Sequence, residues 1–180
     1  MAKAPAAPLI DRAADAALEL AAARPWNTIS LRDIATAAGV DLADLFDQAD
    51  GKGALLAHIA ARFDRAALQT PADGDVHDRL FDAAMARVEA MEPHRTALIG
   101  IARDENPLQS ASRTPRTARA ILEAAGLDAT APRLTAMTAV WVRIVQVWRA
   151  DEGALNRTMA EIDKRLKQMR EQLGKLGQGF

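Results

Sequence analysis

Residues Pro25 to Leu56 read PWNTISLRDIATAAGVDLADLFDQADGKGALL, and their spacing decides the fold. Ser30-Leu-Arg-Asp33 has the form of a capping box with Asp at the far position. It opens a short helix whose inner face is Leu31, Ile34 and Ala35. Gly39 stands where a helix C-terminus takes a left-handed residue. Asp41 is a good N-cap for a second short helix, over roughly Asp41 to Ala49, with Leu42, Leu45 and Phe46 facing inward. Asp50-Gly51 then breaks the pattern. Two short helices joined by Ala38-Gly39-Val40 have the layout of a helix-turn-helix, with the second as its recognition helix. The charge of that second helix opposes the role. It carries Asp41, Asp44 and Asp47 and no Lys or Arg, whereas a helix in the major groove lies between walls of phosphate.

Outward from this stretch the chain reads as helix throughout. Residues 1–8 are rich in Ala and Pro and are expected to fray. Ile10, Ala13, Ala14, Ala17, Leu18 and Ala21 form a helical stripe that ends at Arg24-Pro25. A fourth helix runs from about Gly53 to Leu68, striped by Leu55, Leu56, Ile59 and Phe63. Pro71-Ala-Asp-Gly74 is the clearest linker. It divides a helix-turn-helix domain at 1–50, with a connecting helix at 51–70, from a helical body at 71–180. In the body, helices are expected over Val76–Met91, from Pro93 to about Asn106, over Arg116–Ala125, from Pro132 to about Ala150, and from Leu155 onward. Ser110 to Pro115 reads as loop. No strand pattern or long repeat occurs, so the expected fold is all-α with nine helices.

Composition agrees. Of 180 residues about half are apolar, Ala is the commonest type, and Tyr and Cys are absent. There is no disulfide frame, thiolate nucleophile or Cys-based zinc site. A formal charge of −1 gives no global pull towards nucleic acid or anionic membranes. No apolar run approaches the roughly 18 residues of a membrane span, and MAKAPAAPLI lacks the apolar core of a signal peptide. The expected location is the cytoplasm.

Catalytic chemistry finds no support. His58, His77 and His94 fall on separate predicted helices without metal-ligand spacing, and read as solvated or packing residues. Asp104-Glu105 could ligate a metal but reads better as surface acid. No phosphate loop or nucleophile elbow occurs, and no cofactor or metal is expected. In the last helix Leu155, Met159, Ile162, Leu166, Met169, Leu173 and Leu176 alternate spacings of four and three, a heptad seam. The seam is either the core-facing stripe of this helix or, together with Val140, a dimer interface. Amphipathic membrane contact is a third use, weakened by the near balance of charge along the helix. Met85, Val88, Met91, Leu98, Ile101, Met137, Trp141, Val145 and Trp148 are either ordinary core or the lining of an adaptable apolar pocket.

The first 60 residues resemble the TetR family of one-component transcription regulators. The resemblance is carried by the Ala-rich first helix, Trp26-Asn-Thr-Ile-Ser30, Leu31-Arg-Asp-Ile-Ala35, Ala38-Gly39-Val40, Asp41 to Phe46 and Lys52-Gly-Ala-Leu-Leu56, without a gap. Departures lie in the recognition helix: Phe46 stands where the family has a tyrosine that reaches a phosphate, and Ala49 replaces an aromatic. Residues 24–56 hold three positive groups (Arg24, Arg32, Lys52) and five negative (Asp33, Asp41, Asp44, Asp47, Asp50), net −2. A second resemblance runs through Phe81–Arg95, including Met91-Glu-Pro-His-Arg95, and through Val147–Arg165. It is to the TetR-fold accessory proteins of coenzyme Q biosynthesis, which bind lipids and do not regulate transcription.

The first resemblance implies a homodimer that binds double-stranded DNA and holds a small apolar ligand in its larger domain. It places Thr28, Ser30 and Lys52 on phosphates and Asp41, Leu42, Ala43 and Phe46 in the groove. The second implies a lipid or isoprenoid carrier that does not bind DNA.

Overall fold

The computed structural model describes residues 7–151, 153–175 and 177. Leu176 and the end of the tail lie outside them, as does most of the segment expected to fray. The described residues form nine α-helices and no strand. They are α1 (Leu9–Ala23), α2 (Leu31–Ala38), α3 (Leu42–Gln48), α4 (Lys52–Leu68), α5 (Val76–Met91), α6 (Arg95–Asp104), α7 (Pro107–Ala124), α8 (Ala131–Ala150) and α9 (Asn156–Lys175). Short 3₁₀ turns, Trp26–Thr28 and Glu92–His94, lead into α2 and α6.

The chain divides into two compact units, and the division is not the sequential one expected at residue 70. The first unit comprises the residues up to Ile59 together with His94–Gln109. The second comprises Ala60–Pro93 and the residues from Ser110 onward. The difference arises because α6 packs against α1 and so belongs with the N-terminal helices. Small side chains allow this. Ala13, Ala14 and Ala17 are fully buried on α1, and a Cβ on Gly100 of α6 would sit 3.4 Å from the Ala21 carbonyl oxygen. α1 also packs against α2 and α3. Leu18, Trp26, Ile29, Ile34, Leu45, Leu55, Ile59 and Ile101 complete this core, each large aliphatic contributing about 1.5–3 kcal/mol by burial.

In the second unit α9 packs against α8 and α5. Ile162, Leu166, Met169 and Leu173 are buried within the chain, so the heptad seam is the core-facing stripe of its own helix. Leu155 precedes α9 with φ of 54°, and Met159 is left 42% exposed as the outward residue of the seam. Asp151 replaces a conventional cap at the start of α9: its Oδ2 accepts from Thr158 N at 2.9 Å and Thr158 Oγ1 at 2.8 Å.

One expected loop is helix. Ser110–Pro115 lies inside α7, which starts at Pro107 with the Asn106 side chain accepting from Leu108 N at 2.9 Å. Pro115 leaves the Ala111 carbonyl without its helical donor. That turn is exposed on its outer side, which leaves the carbonyl open to solvent. The buried face of Thr117, Ala118, Ile121 and Leu122 holds the helix in place.

Candidate nucleic-acid interface

The helix-turn-helix is built by its caps. Ser30 Oγ accepts from Asp33 N at 3.1 Å, and Asp33 Oδ2 accepts from Ser30 N and Ser30 Oγ, both at 2.8 Å. This completes the capping box and fixes the start of α2. The Ser30 backbone N–H, with its hydroxyl and Arg24 behind it, holds the Asp33 carboxyl below the usual carboxylate range. α2 ends at Gly39, whose φ of 61° and ψ of 41° are left-handed, and Val40 N returns to Ala35 O at 3.0 Å. Asp41 then caps α3, accepting from Ala43 N at 2.7 Å and Asp44 N at 3.4 Å. A Cβ at Gly39 would meet nothing within 4 Å, so the cost of replacing it is conformational alone. Gly39→Ala is expected to lower unfolding free energy by about 1–2 kcal/mol in a urea titration. A loss under half of that would show that the turn relaxes to another conformation.

The turn that feeds α2 is gripped from two helices of the same unit. Lys52, the first residue of α4, donates from Nζ to Trp26 O at 2.9 Å and to Ile29 O at 2.7 Å. Its ammonium also lies 4.6 Å from the centre of the Trp26 ring. Burial pushes its pKa down, with Asp104 pulling the other way. Asp104 ends α6 and pairs with Arg103 at 3.1 Å. Arg103 first, and the backbone N–H groups of Asn27 and Trp26 after it, hold its carboxyl low against the opposing effect of burial. The segment Trp26–Ile29 therefore has the Trp26 and Ile29 carbonyls on a cation and the Trp26 and Asn27 amides towards an anion. Lys52, expected on a phosphate, spends two of its three N–H donors inside the protein. Asp104, read from sequence as surface acid, faces this turn. No local pattern signals either contact, because the partners are far apart in the chain.

The remaining expected contact residues sort by exposure. Thr28, Ser30, Asp41, Ala43 and Phe46 are exposed, and Leu42 is half-buried. Of the three residues expected to face inward from α3, only Leu45 is fully buried, and Phe46 is 54% exposed. α3 is seven residues long and packs on α2 and α1 with Leu45 as its one fully buried side chain, leaving Phe46 outside. Charge also sorts. Asp33 is spent on α2 and Arg24, whose Nη2 lies 3.3 Å from it, and Asp41 on α3. Exposed Asp44, Asp47 and Asp50 then stand against exposed Arg32.

The expected pocket residues are distributed between the two units. Met85, Val88, Met91, Met137, Trp141 and Trp148 are buried in the second, with Val145 half-buried there, while Leu98 and Ile101 lie in the first on α6. Trp148 donates from Nε1 to Glu92 Oε2 at 2.6 Å. The histidines stay apart: His58 meets Asp11 at 2.8 Å and His77 meets Asp163 at 3.0 Å. Among the described residues no cluster of His, Asp and Glu could hold a metal ion, and no helix is long and apolar enough to cross a membrane.

No family model matches the sequence, and no curated protein matches it. Solved structures do. A TetR transcriptional regulator from Nitrosomonas europaea ATCC 19718 aligns with a TM-score of 0.70 and 23% identity, over 90% of this chain and 98% of that one. One from Rhodococcus sp. RHA1 gives 0.68 and 16%, over 89% and 94%. A TetR-family regulator from Streptomyces coelicolor gives 0.57 and 15%, over 93% and 81%. The likeness spans both units and nearly the whole of each chain. The protein thus has the fold of the TetR transcriptional regulators.

Proposed function

We propose that the chain is a DNA-binding regulator that acts as a homodimer and carries a small apolar ligand in its second unit. The observation that carries this reading is the outer face of the helix-turn-helix. Caps at Ser30, Gly39 and Asp41 fix two helices around one turn, and Ala43, Asp44, Phe46 and Asp47 project from α3 without serving its core. In this reading Thr28 and Ser30 lie beside the phosphates and give up their hydroxyl bonds to Pro25 O and Asp33 Oδ2 to reach them, Ala43 and Phe46 meet base edges, and Asp41 and Leu42 border the groove. Lys52 positions the turn rather than gripping DNA. The ligand lies among Met85, Met91, Met137 and Trp141, whose methionines can repack around it. A second copy docks on the α8–α9 face, where Ala136, Ala139, Arg143, Gln168 and Gln172 line a groove, and Val142 and Met159 are each 42% exposed. The groove-to-groove spacing of the two heads then sets the operator.

The direct test is fluorescence anisotropy with duplexes from the promoter region of its own gene at two salt concentrations. A regulator binds, and its affinity falls steeply with salt. No binding to any fragment at low salt defeats the proposal. Because Asp44 and Asp47 cap nothing, Asp44→Asn with Asp47→Asn is expected to tighten binding about tenfold at low salt, with the gain shrinking as salt rises. Unchanged affinity would place α3 away from the phosphates.

The same acidic face favours a second reading, in which the second unit carries a lipid and the head no longer binds DNA. Lipid co-purifying with the protein, combined with no duplex binding, is the outcome that selects it.

A further inference from the structure

Arg87 places a cation inside the second unit, on α5, where it is 5% exposed. Its guanidinium carries five N–H groups. Asp64 takes one at Nε and the Met91 sulfur takes one at Nη1, both at 2.8 Å. An arginine beside a carboxylate often makes two parallel bonds, one to each oxygen. Here that fork is not used. Asp64 Oδ1 is shared between Arg87 and Thr117, and Oδ2 lies 3.4 Å from Arg116. Among the described residues no oxygen accepts from either Nη atom of Arg87. The groups beside the guanidinium are apolar instead: the Trp141 ring centre at 4.6 Å and the Phe63 ring centre at 6.0 Å.

The charge of this cluster is also unbalanced. Two cations, Arg87 and Arg116, meet one anion, Asp64, which leaves a net charge of +1. Met91 holds the place of a better acceptor. It is the last residue of α5, and its side chain is unbranched with a weakly accepting thioether. One rotation of that side chain frees an Nη1 donor and the volume in front of it together.

We infer that the ligand of the second unit is an amphipathic acid, whose carboxylate takes the Nη donors of Arg87 in place of the Met91 sulfur while its apolar chain lies along Trp141 and the displaced Met91. Such a ligand presupposes the apolar site proposed above for that unit and gives it a fixed head. An alcohol of equal length can accept from the same donors but leaves the charge of the cluster unbalanced.

Titration calorimetry on the full-length protein tests this with octanoate and dodecanoate against octanol and dodecanol, in buffer alkaline enough to ionise the acids. At one of the two lengths the acid is expected to bind at least about tenfold more tightly than its alcohol. Arg87→Met alone would leave Asp64 buried and unpaired, so the cation is removed with its partner, in Asp64→Leu with Arg87→Met. In that variant the alcohol should bind as before and the preference for the acid should vanish, with circular dichroism reporting unchanged helix. Arg116→Gln, at a side chain 67% exposed, keeps the buried pair and is expected to weaken the acid about threefold without moving the alcohol. Equal affinity of acid and alcohol overturns the inference and leaves the apolar site standing. So does a preference for the acid that survives either variant in full. Binding of none of the four probes removes the apolar site and the acid-binding head with it.

Discussion

A fragment ending at Leu68 is expected to lose the folded helix-turn-helix, although it contains every residue of α1 to α4. The missing piece is α6. Without it the α1 surface around Ala21 is uncovered, Trp26 loses the Asp104 side of its turn, and the burial of Ala97 and Ile101 is gone. Removing the isoleucine alone forfeits about 1.5–3 kcal/mol. A unit of about 60 residues starts from a marginal balance, so the loss is enough to abolish cooperative melting. Circular dichroism and amide NMR dispersion read the result. Joining His94–Gln109 after Leu68 through a Gly/Ser linker is expected to restore both. A sharp thermal transition in the short fragment would show that α6 is dispensable to the head.

Asp64→Ala is expected to cost about 3–5 kcal/mol of stability, the range for stranding one member of a buried ion pair. Asp64 and Arg87 are 2% and 5% exposed. Asp64 Oδ1 accepts from Arg87 Nε and from Thr117 Oγ1, both at 2.8 Å, and Oδ2 lies 3.4 Å from Arg116 Nε. The Arg87 guanidinium lies 4.6 Å from the Trp141 ring centre and donates to the Met91 sulfur, a weak acceptor. Burial pushes the Arg87 pKa down and Asp64 restores part of it. With Asp64 gone, a charge remains in an apolar setting beside the Trp141 and Phe63 rings and a thioether. By contrast, Lys167→Ala breaks an exposed pair on α9, 2.7 Å from Asp163, and should cost under about 1 kcal/mol. Urea titrations of both variants, and of Asp64→Leu with Arg87→Met, separate the cases. The double variant should recover most of the loss. If Asp64→Ala costs no more than Lys167→Ala, the pair is not what holds α4, α5 and α7 together.

The sequence displayed what is local and hid what is remote. Ser30, Gly39 and Asp41 each act within four residues, so their caps could be read directly and fixed α2 and α3. The breaks at Pro25 and Gly51 are equally plain. Ser110–Pro115 reads as loop because proline and serine signal one locally, while the apolar face that follows holds the helix. The seam of α9 had a strict period, but a period records which face is buried and not what buries it. Phe46 had the right phase for the core and lacked only a helix long enough to reach it. The grip on the Trp26–Thr28 turn and the Asp64–Arg87–Thr117 cluster join positions scattered over the chain, and single-residue polar contacts leave no periodic trace.

Asp44, Asp47 and Asp50, exposed beyond the turn, also bear on time. For a chain that reads DNA, phosphates are met everywhere on the genome, while the right bases are met rarely. Attraction to phosphate prolongs every random encounter, and a reading face that repels it shortens them all. Affinity for the operator is lowered, but residence on the far larger excess of wrong sequence is lowered too. Such a reader searches mainly through solution rather than by sliding, and stays only where the bases themselves retain it.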